Sequence, residues 1–563
     1  MNYTPEQENI FHFVKNAEGH GIIDAVAGAG KTTTIIASAR HVPADRNILF
    51  CAFNKSIANE IEARFHAQHM HGVSVKTMHA LGFKMLQPRS SVERPLKLVD
   101  NKYDQLLKSE RLKALLTEQY EKILLINGYE TDPDSGSFKE YLLKNELWRI
   151  NDRLLDMVQK FRATLCKDDP KDVYRMVLHF SIFSVLEAQK DKFREELQAY
   201  HRCLQILLEE GNAYSQRTLQ VDFTDMLYLP VQWKLEPPGK FDFIFIDECQ
   251  DLSKAQLAIA LKYGHSGTRI LSVGDPRQSI YGFTGADIES FGRIKEITKA
   301  TPLPLTTCFR CPQGVIKIAR EIRKDITGRK QEEGVVETIA SHQVITRARP
   351  GDLIISRLKD PLLLLVFDFI DKDIKVHIHP DEVKELISEL RYLFKPEERN
   401  KPFYAIPGGV ATLMRQVTKS REYIITKNAE RIIDDTERKE VIEQEKAYLK
   451  KRLDFLEKKS LKWEECATME QVLLKVKDYI SAKENCIRLS TIHRAKGLEE
   501  KRVFIIDYPR LPHTRLGIQP WEQTQETNLK YVAVTRAKEE LYLVSVVNIP
   551  EKEEEGSLFD DLF

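Results

Sequence analysis

At 563 residues the chain is too long for a single hydrophobic core and predicts about three or four domain-sized units. A hydrophobic content of 42% beside 30% charged residues suits a soluble globular protein, and no run approaches the ~18 apolar residues of a membrane span. The formal net charge of +1 excludes a uniformly basic body, so any contact with nucleic acid has to come from local grooves.

The N-terminal MNYTPEQENI lacks the basic and apolar regions of a secretion signal, so a cytoplasmic location is expected, nucleoid-associated in a prokaryotic or viral setting. Thr4 reads as the N-cap of a first helix, with Pro5 at its first position and Ile10, Phe11 and Val14 as its apolar stripe. Gln7 on that helix admits two readings, an amide that reads an adenine edge or an ordinary exposed Gln. The apolar Gly21-Ile22-Ile23 then runs into Ala25-Val26-Ala27-Gly28-Ala29-Gly30-Lys31-Thr32-Thr33-Thr34. A strand that ends in a Gly-rich turn and opens into a helix aims backbone N–H groups and the helix dipole at one small volume, which suits polyphosphate. In this pattern Lys31 reaches the β- and γ-phosphates, and the Thr32 hydroxyl sits on Mg²⁺. Ala25 stands where the generic pattern has its first Gly.

Ile48–Phe53 reads as a second buried strand, followed by Asn54 and a helix, and Val73–His79 as a short third strand. Alternating strands and helices predict a parallel sheet with ligands at its carboxyl ends. From about Lys84 to Gln216 the sequence turns helical and charge-rich, with Leu147, Ile150, Leu154, Met157 and Phe161 on one face. The sheet resumes at Phe241–Ile246, which delivers Asp247 and Glu248 to its end. Asp247 would hold the metal and Glu248 would orient and deprotonate the attacking water. The strand Arg269–Val273 leads to Gln278, a candidate γ-phosphate sensor, and to Phe283, which reads either as a packed ring or as a base-stacking platform.

Beyond about Ala300 a second alternating region has expected strands at Asp352–Ser356, Arg502–Ile506 and Leu541–Val546, and no phosphate loop. Residues ~377–486 between its halves are again helical, with Leu449, Leu453 and Leu456 on one stripe. Eight scattered cysteines do not form a disulfide framework, and Cys308-Phe309-Arg310-Cys311, without a second pair to complete a zinc site, reads as structural or incidental. The last residues are an acidic run followed by Leu558, Phe559, Leu562 and Phe563. They read as a peptide that docks on a sliding clamp or a replication or repair protein, or as a disordered end.

The ordered set AVAGAGKT, FNK, TMHALGF, DFTDML, IDECQD, GDPRQSIYGFTGA, CFRCP, STIHRAKGLE and YVAVTRA resembles the superfamily 1 helicases of the UvrD, Rep and PcrA type, with FNKSIA and YVAVTRAKE also similar to the F-box DNA helicase branch. The resemblance implies an α/β protein of two RecA-like parallel-sheet cores, each with a mostly helical insertion. The first core is expected at 1–83 and 217–300 around an insertion at 84–216, the second at 301–376 and 487–548 around an insertion at 377–486, with an acidic tail at 549–563. It implies ATP and Mg²⁺ between the cores, bound by Gln7, Ala27, Gly28, Ala29, Gly30, Lys31, Thr32, Thr33, Phe309 and Glu499. Phe309 would stack on the base, Glu499 would contact the ribose or phosphate side, and Arg310 and Arg536 would act as arginine fingers. Single-stranded DNA would cross Phe53, Asn54, Thr77, His79 and Phe283 on the first core and Thr491 and His493 on the second, although His493 also reads as a core histidine. The implied activity is ATP-driven 3′ to 5′ translocation and unwinding at single-strand/duplex junctions. The alternative is a protein–DNA remodelling subunit or nucleotide switch that does not unwind by itself.

Overall fold

The computed structural model describes residues 3–545 apart from 71, 130–136, 184, 189, 283–284, 286–288, 430–434 and 515–517. Its backbone is organised by two six-stranded sheets. The first holds β1 (Gly21–Ala25), β2 (Ile48–Ala52), β3 (Val73–Thr77), β4 (Phe243–Ile246), β5 (Arg269–Gly274) and β6 (Thr301–Leu305), in the order β3-β2-β4-β5-β1-β6. The second holds β7 (Val335–Ala340), β8 (Leu353–Ser356), β9 (Val376–His377), β10 (Ile487–Thr491), β11 (Glu500–Ile505) and β12 (Ala537–Ser545), in the order β7-β12-β11-β8-β10-β9. Every pairing in both sheets is parallel. Segments such as Phe243-Ile244-Phe245-Ile246 carry no polar alternation because helices cover both faces of such a sheet.

Three boundaries differ from the sequence expectation. The third strand stops at Thr77, whose hydroxyl accepts the Ala80 amide and caps a helix over Met78–Leu86, so Met78 and His79 are helical. β6 lies beyond the residue-300 boundary yet pairs with β1 of the first sheet. Its Thr-Pro-Leu-Pro-Leu sequence looks like a loop, and the structure puts it at the sheet's edge, where a proline leaves no inner ladder bond unmade. In the second sheet β7, β9 and β10 join the three strands read from hydropathy.

The two helical insertions are held differently. In the first, Ile150, Leu154, Met157 and Phe161 face Tyr200, Leu204 and Leu207 of the helix Phe193–Thr218 in a core of their own. A buried ionic cluster ties it to the first sheet's elements. Arg162 Nη1 donates to Asp222 Oδ1 and Asp225 Oδ1, both at 2.8 Å, and the Lys102 ammonium also binds Asp225. In the second, Leu449, Leu453 and Leu456 share one core with Ile354, Ile487, Leu489 and Phe504 of the second sheet, so these helices form a layer on that sheet. A further core runs unbroken from Ile23, Phe50 and Leu271 of the first sheet to Leu353, Ile355 and Val503 of the second. Each such fully buried side chain contributes about 1.5–3 kcal/mol, so apolar packing itself holds the lobes together.

Candidate nucleotide site and nucleic-acid interface

β1 ends in a turn that needs glycine twice: Gly28 has φ +69° and Gly30 φ +76°. Gly30 caps the helix Lys31–Ala39, whose first amides therefore lack intrahelical acceptors. Gly28 also has no room for a side chain, since a Cβ would stand 2.7 Å from Arg310 Cβ and 3.0 Å from Cys308 Sγ of the other lobe. Ala27 and Ala29 are fully buried, and Thr33 is half-buried on the first turn. Gln7 is buried beside the loop. Its Oε1 accepts the Thr4 amide in a capping box and its Nε2 donates to Thr34 Oγ1 at 2.8 Å, so the ordinary exposed-Gln reading is excluded.

β4 runs buried into Asp247 and Glu248, and Glu248 takes φ +48°, a left-handed conformation costly for a residue with a side chain. Lys31 Nζ donates to Glu248 Oε2 at 3.1 Å, while Thr32 Oγ1 lies 3.5 Å from Asp247 Oδ2. Burial and the neighbouring Glu248 charge push the Asp247 carboxyl up to about 7. For Glu248 burial acts upward too, but Lys31 and Lys496 outweigh it and hold the group at about 2. A buried carboxylate this reluctant to ionise, beside a threonine hydroxyl, suits a divalent cation, whose charge would stabilise the anion. Among the described residues no group of three or more His, Cys, Asp or Glu gathers as a cage. A cation bound at Thr32 and Asp247 would have to take its other ligands from phosphate and water, the usual habit of Mg²⁺. Gln278 is buried on the neighbouring turn, with Nε2 donating to Asp275 Oδ2 at 2.6 Å rather than facing Lys31.

The second lobe closes over the loop. The Phe309 amide donates to the Gly28 carbonyl at 2.9 Å, and the Phe309 ring is 38% exposed, with area free for stacking on a base. Arg310 Nη1 donates to the Thr535 carbonyl at 3.1 Å, and its guanidinium also pairs with Glu499, which Lys538 holds from the other side at 3.0 Å. Arg536 behaves differently. It is 1% exposed, and its guanidinium donates to the carbonyls of Val532 at 2.8 Å and Leu498 at 3.2 Å and to Thr535 Oγ1. Burial and the nearby Arg310 charge lower it to about 9. These partners all belong to the second lobe, as do the Thr535 and Glu499 groups that hold the Arg310 guanidinium; Arg310 meets the phosphate loop through its backbone and Cβ.

Several residues of this cleft carried no role in the sequence reading. Tyr531 accepts the Ala27 amide at its hydroxyl, at 3.0 Å. Lys496 reaches the buried Asp251 carboxylate and donates to the Gln278 carbonyl at 2.7 Å. Arg323 spans Asp24 at 2.9 Å and Asp275 at 3.4 Å. On the helix Pro520–Val534, Gln525 Oε1 accepts the Gly282 amide at 2.9 Å and Asn528 Nδ2 donates to the Ser279 carbonyl at 2.9 Å. Tyr531 and Lys496 stand inside the YVAVTRA and STIHRAKGLE motifs, which was the available signal. Buried Gln and Asn on one helix become legible only when a second body faces it.

The expected DNA residues divide. Asn54 Oδ1 accepts the Ile57 amide and Thr77 Oγ1 the Ala80 amide, so both are helix caps here. Phe53 stacks on Tyr281 at 5.9 Å, and the Tyr281 hydroxyl donates to the His493 carbonyl across the cleft at 3.2 Å. Thr491 is buried at the end of β10, where its hydroxyl accepts the Arg494 amide at 3.5 Å. His79 and His493 are each lowered to about 4, His79 by burial and His493 by burial with Arg357 nearby, so both are neutral near pH 7 and offer polarity rather than charge. Phe223, given no role of its own in the sequence reading, packs on His79 at 4.8 Å and is 53% exposed. Its place inside the DFTDML motif was the available signal. Phe283 and the tail at 549–563 lie outside the described residues.

Comparison with known proteins matches residues 3–299 to the UvrD/REP helicase N-terminal domain and residues 487–544 to the UvrD-like helicase C-terminal domain. Similar proteins include the ATP-dependent DNA helicase PcrA of Bacillus subtilis (strain 168), 22% identical with 94% of this chain and 81% of that protein covered. PcrA of Staphylococcus epidermidis (strain ATCC 12228 / FDA PCI 1200) is 22% identical over 94% of this chain and 82% of its own length. PcrA of Staphylococcus aureus (strain NCTC 8325 / PS 47) is 21% identical over the same shares, 94% and 82%. The N-terminal match alone spans more than half of the chain, and it contains the glycine-rich loop and the acidic pair just described: the chain belongs to the UvrD/REP helicase family.

Proposed function

We propose that this chain is an ATP-dependent DNA helicase that moves 3′ to 5′ along single-stranded DNA and acts at single-strand/duplex junctions. The observation that carries the reading is the contact of Phe309 and Arg310 with Gly28, by which one lobe closes the phosphate loop of the other. Hydrolysis that opens or closes such a joint changes the distance between surfaces on the two lobes, and a strand held by both is then stepped.

In this reading the first motor core comprises 1–83 and 217–300 with its insertion at 84–216, extended by β6, and the second comprises 301–376 and 487–548 with its insertion at 377–486. Gln7 and Phe309 bind the adenine, the amides of Ala27 to Thr33 cradle the phosphates, and Glu499 is exchanged from Arg310 to the ribose side. Thr32 and Asp247 would hold Mg²⁺, which would supply charge neutralisation on the phosphates. Glu248 takes the proton of the attacking water. Gln278 senses the γ-phosphate after leaving Asp275, and Arg310 stabilises the departing charge. Arg536 joins it only if its carbonyl bonds are given up. Single-stranded DNA crosses Phe53, Asn54, Thr77, His79, Phe223 and Phe283, then Thr491 and His493. Leu558, Phe559, Leu562 and Phe563 dock on a sliding clamp or a replication or repair protein, an idea ended if deleting 556–563 changes neither pull-downs nor activity.

End-biotinylated oligonucleotides carrying streptavidin, assayed beside forked duplexes, test the motor. Displacement from the 5′ end, with unwinding of 3′-tailed forks, is expected. Displacement without unwinding favours a protein–DNA remodelling subunit, and hydrolysis that DNA does not stimulate favours a nucleotide switch.

A further inference from the structure

Cys308-Phe309-Arg310-Cys311 brackets two residues of the proposed nucleotide site between two thiols, both free and fully buried. The segment is folded back on itself, since the Cys311 amide reaches Cys308 Sγ at 3.5 Å. Cys311 Sγ in turn donates to the Thr535 carbonyl at 3.7 Å, the same oxygen that accepts Arg310 Nη1. On its other side Cys308 Sγ packs against the phosphate loop, 3.0 Å from where a Gly28 Cβ would stand. The Cys311 side chain beside it outweighs burial and, with the amides of Cys311 and Arg310, holds the Cys308 thiol down to about 6. Cys311 is raised, first by the Cys308 side chain and then by burial. The two neighbouring sulfurs thus differ in acidity, with Cys308 the readier to ionise, which suits the attacking sulfur of a dithiol.

We propose that Cys308 and Cys311 form a reversible disulfide when a hydroperoxide enters the cleft, and that the disulfide switches the nucleotide site off. The Cys308 thiolate attacks the outer peroxide oxygen, the O–O bond breaks, and the pair gives a sulfenic acid and an alkoxide or hydroxide, which takes a proton from solvent. Cys311 sulfur then attacks the sulfenic sulfur, the S–O bond breaks, and water leaves with the thiol proton. Two electrons pass from the sulfurs to the peroxide, and an external dithiol returns them. Cys311 thereby loses the S–H that it gives to the Thr535 carbonyl, and Phe309 and Arg310 are locked inside a small ring. Both thiols belong to the apolar core that joins the lobes, so a peroxide reaches them only when the lobes part. The consequence for hydrolysis rests on the roles proposed for Phe309 and Arg310, whereas formation of the disulfide does not.

The test treats the full chain with hydrogen peroxide, stops with catalase, alkylates and maps the peptides by mass. The Cys308–Cys311 peptide is expected to resist alkylation until dithiothreitol is added, and to form more slowly with a non-hydrolysable ATP analogue present. Hydrolysis should fall by about 10²-fold, the scale of a ~1 Å misplacement at a reacting centre, and return with dithiothreitol. Binding of a fluorescent ATP analogue is read alongside. Cys311→Ser, whose hydroxyl keeps a donor for Thr535, should lose the peroxide response, as should Cys308→Ser. If both thiols stay alkylatable under peroxide that oxidises the half-buried Cys166 or Cys486, the disulfide is disproved. A disulfide that leaves hydrolysis and analogue binding unchanged overturns the switch, and inhibition of Cys311→Ser equal to that of the parent chain does so too.

Discussion

The Ala27 amide donates to the Tyr531 hydroxyl oxygen at 3.0 Å, so one lobe already occupies a phosphate-loop donor belonging to the other. A nucleotide that takes this amide has to displace the tyrosine. Tyr531→Phe leaves the amide unsatisfied only in the nucleotide-free chain, at about 1–3 kcal/mol. ATP is therefore expected to bind at least about fivefold more tightly to the variant. Titration with a fluorescent ATP analogue reads this, and unchanged or weaker binding removes Tyr531 from the phosphate competition.

Glu248→Gln keeps the shape that meets Lys31 and removes the basic oxygen. Turnover should fall by about 10²–10⁴ while nucleotide still binds, the range expected on losing a general base. Lys31→Ala should abolish both, and it leaves the buried Asp247, Glu248 and Asp275 without their shared cation. Loss of one partner from such a pair costs about 3–5 kcal/mol, so a lowered melting temperature should accompany the lost phosphate release.

Asp247, held at about 7, gives hydrolysis a pH dependence of definite sign. Below pH 7 the carboxyl is protonated and cannot serve a cation as an anion. The Mg²⁺ concentration for half-maximal hydrolysis should rise about tenfold per pH unit as pH falls below 7. Stability runs the other way. A carboxyl raised from 3.8 to about 7 on folding contributes stability that is complete below about pH 4 and is lost as pH rises through 7. Melting curves from pH 5 to 8, with and without Mg²⁺, check both trends, and Asp247→Asn should flatten them.

Lys496→Met tests the joint between lobes. It leaves Asp251, pushed up to about 6 mainly by burial and held back by Lys496, without its partner, and frees the Gln278 carbonyl. A loss of about 3–5 kcal/mol is expected, with a larger radius of gyration in solution scattering. An unchanged scattering profile would show that the apolar core alone keeps the lobes closed.

Phe223→Ala should weaken single-stranded DNA binding by about 1–3 kcal/mol, the worth of one aromatic–base stack. Fluorescence anisotropy with a labelled oligonucleotide measures it, and equal affinity would return Phe223 to the role of packing on His79.

The sequence alone determined the parts whose physics is local. Thr4 and Pro5 announced a capped helix because a cap is decided within four residues, and the structure adds Gln7 to the cap. Gly28, Gly30 and Lys31 announced a tight turn that opens a helix because the turn and the helix start are contiguous. Apolar runs such as Phe243–Ile246 announced parallel strands, with the acidic pair at their end. Edge strand β6 escaped because its prolines suppress the usual signal, and β10 because Ile487–Thr491 carries an exposed-looking Arg488 within it.

Only the tertiary structure decided what each chemically equivalent group faces. Arg310 and Arg536 look alike in sequence, yet the Cβ and backbone of Arg310 lie against Gly28 while the Arg536 guanidinium is buried on the carbonyls of Val532 and Leu498. That the side-chain oxygens of Asn54 and Thr77 cap helices is a further fact of the fold. Tyr531 and Ala27 are 504 residues apart, and no local pattern can report a bond between them. A propensity or a turn is set by neighbours along the chain, whereas partner, burial and protonation are set by whatever the fold brings alongside.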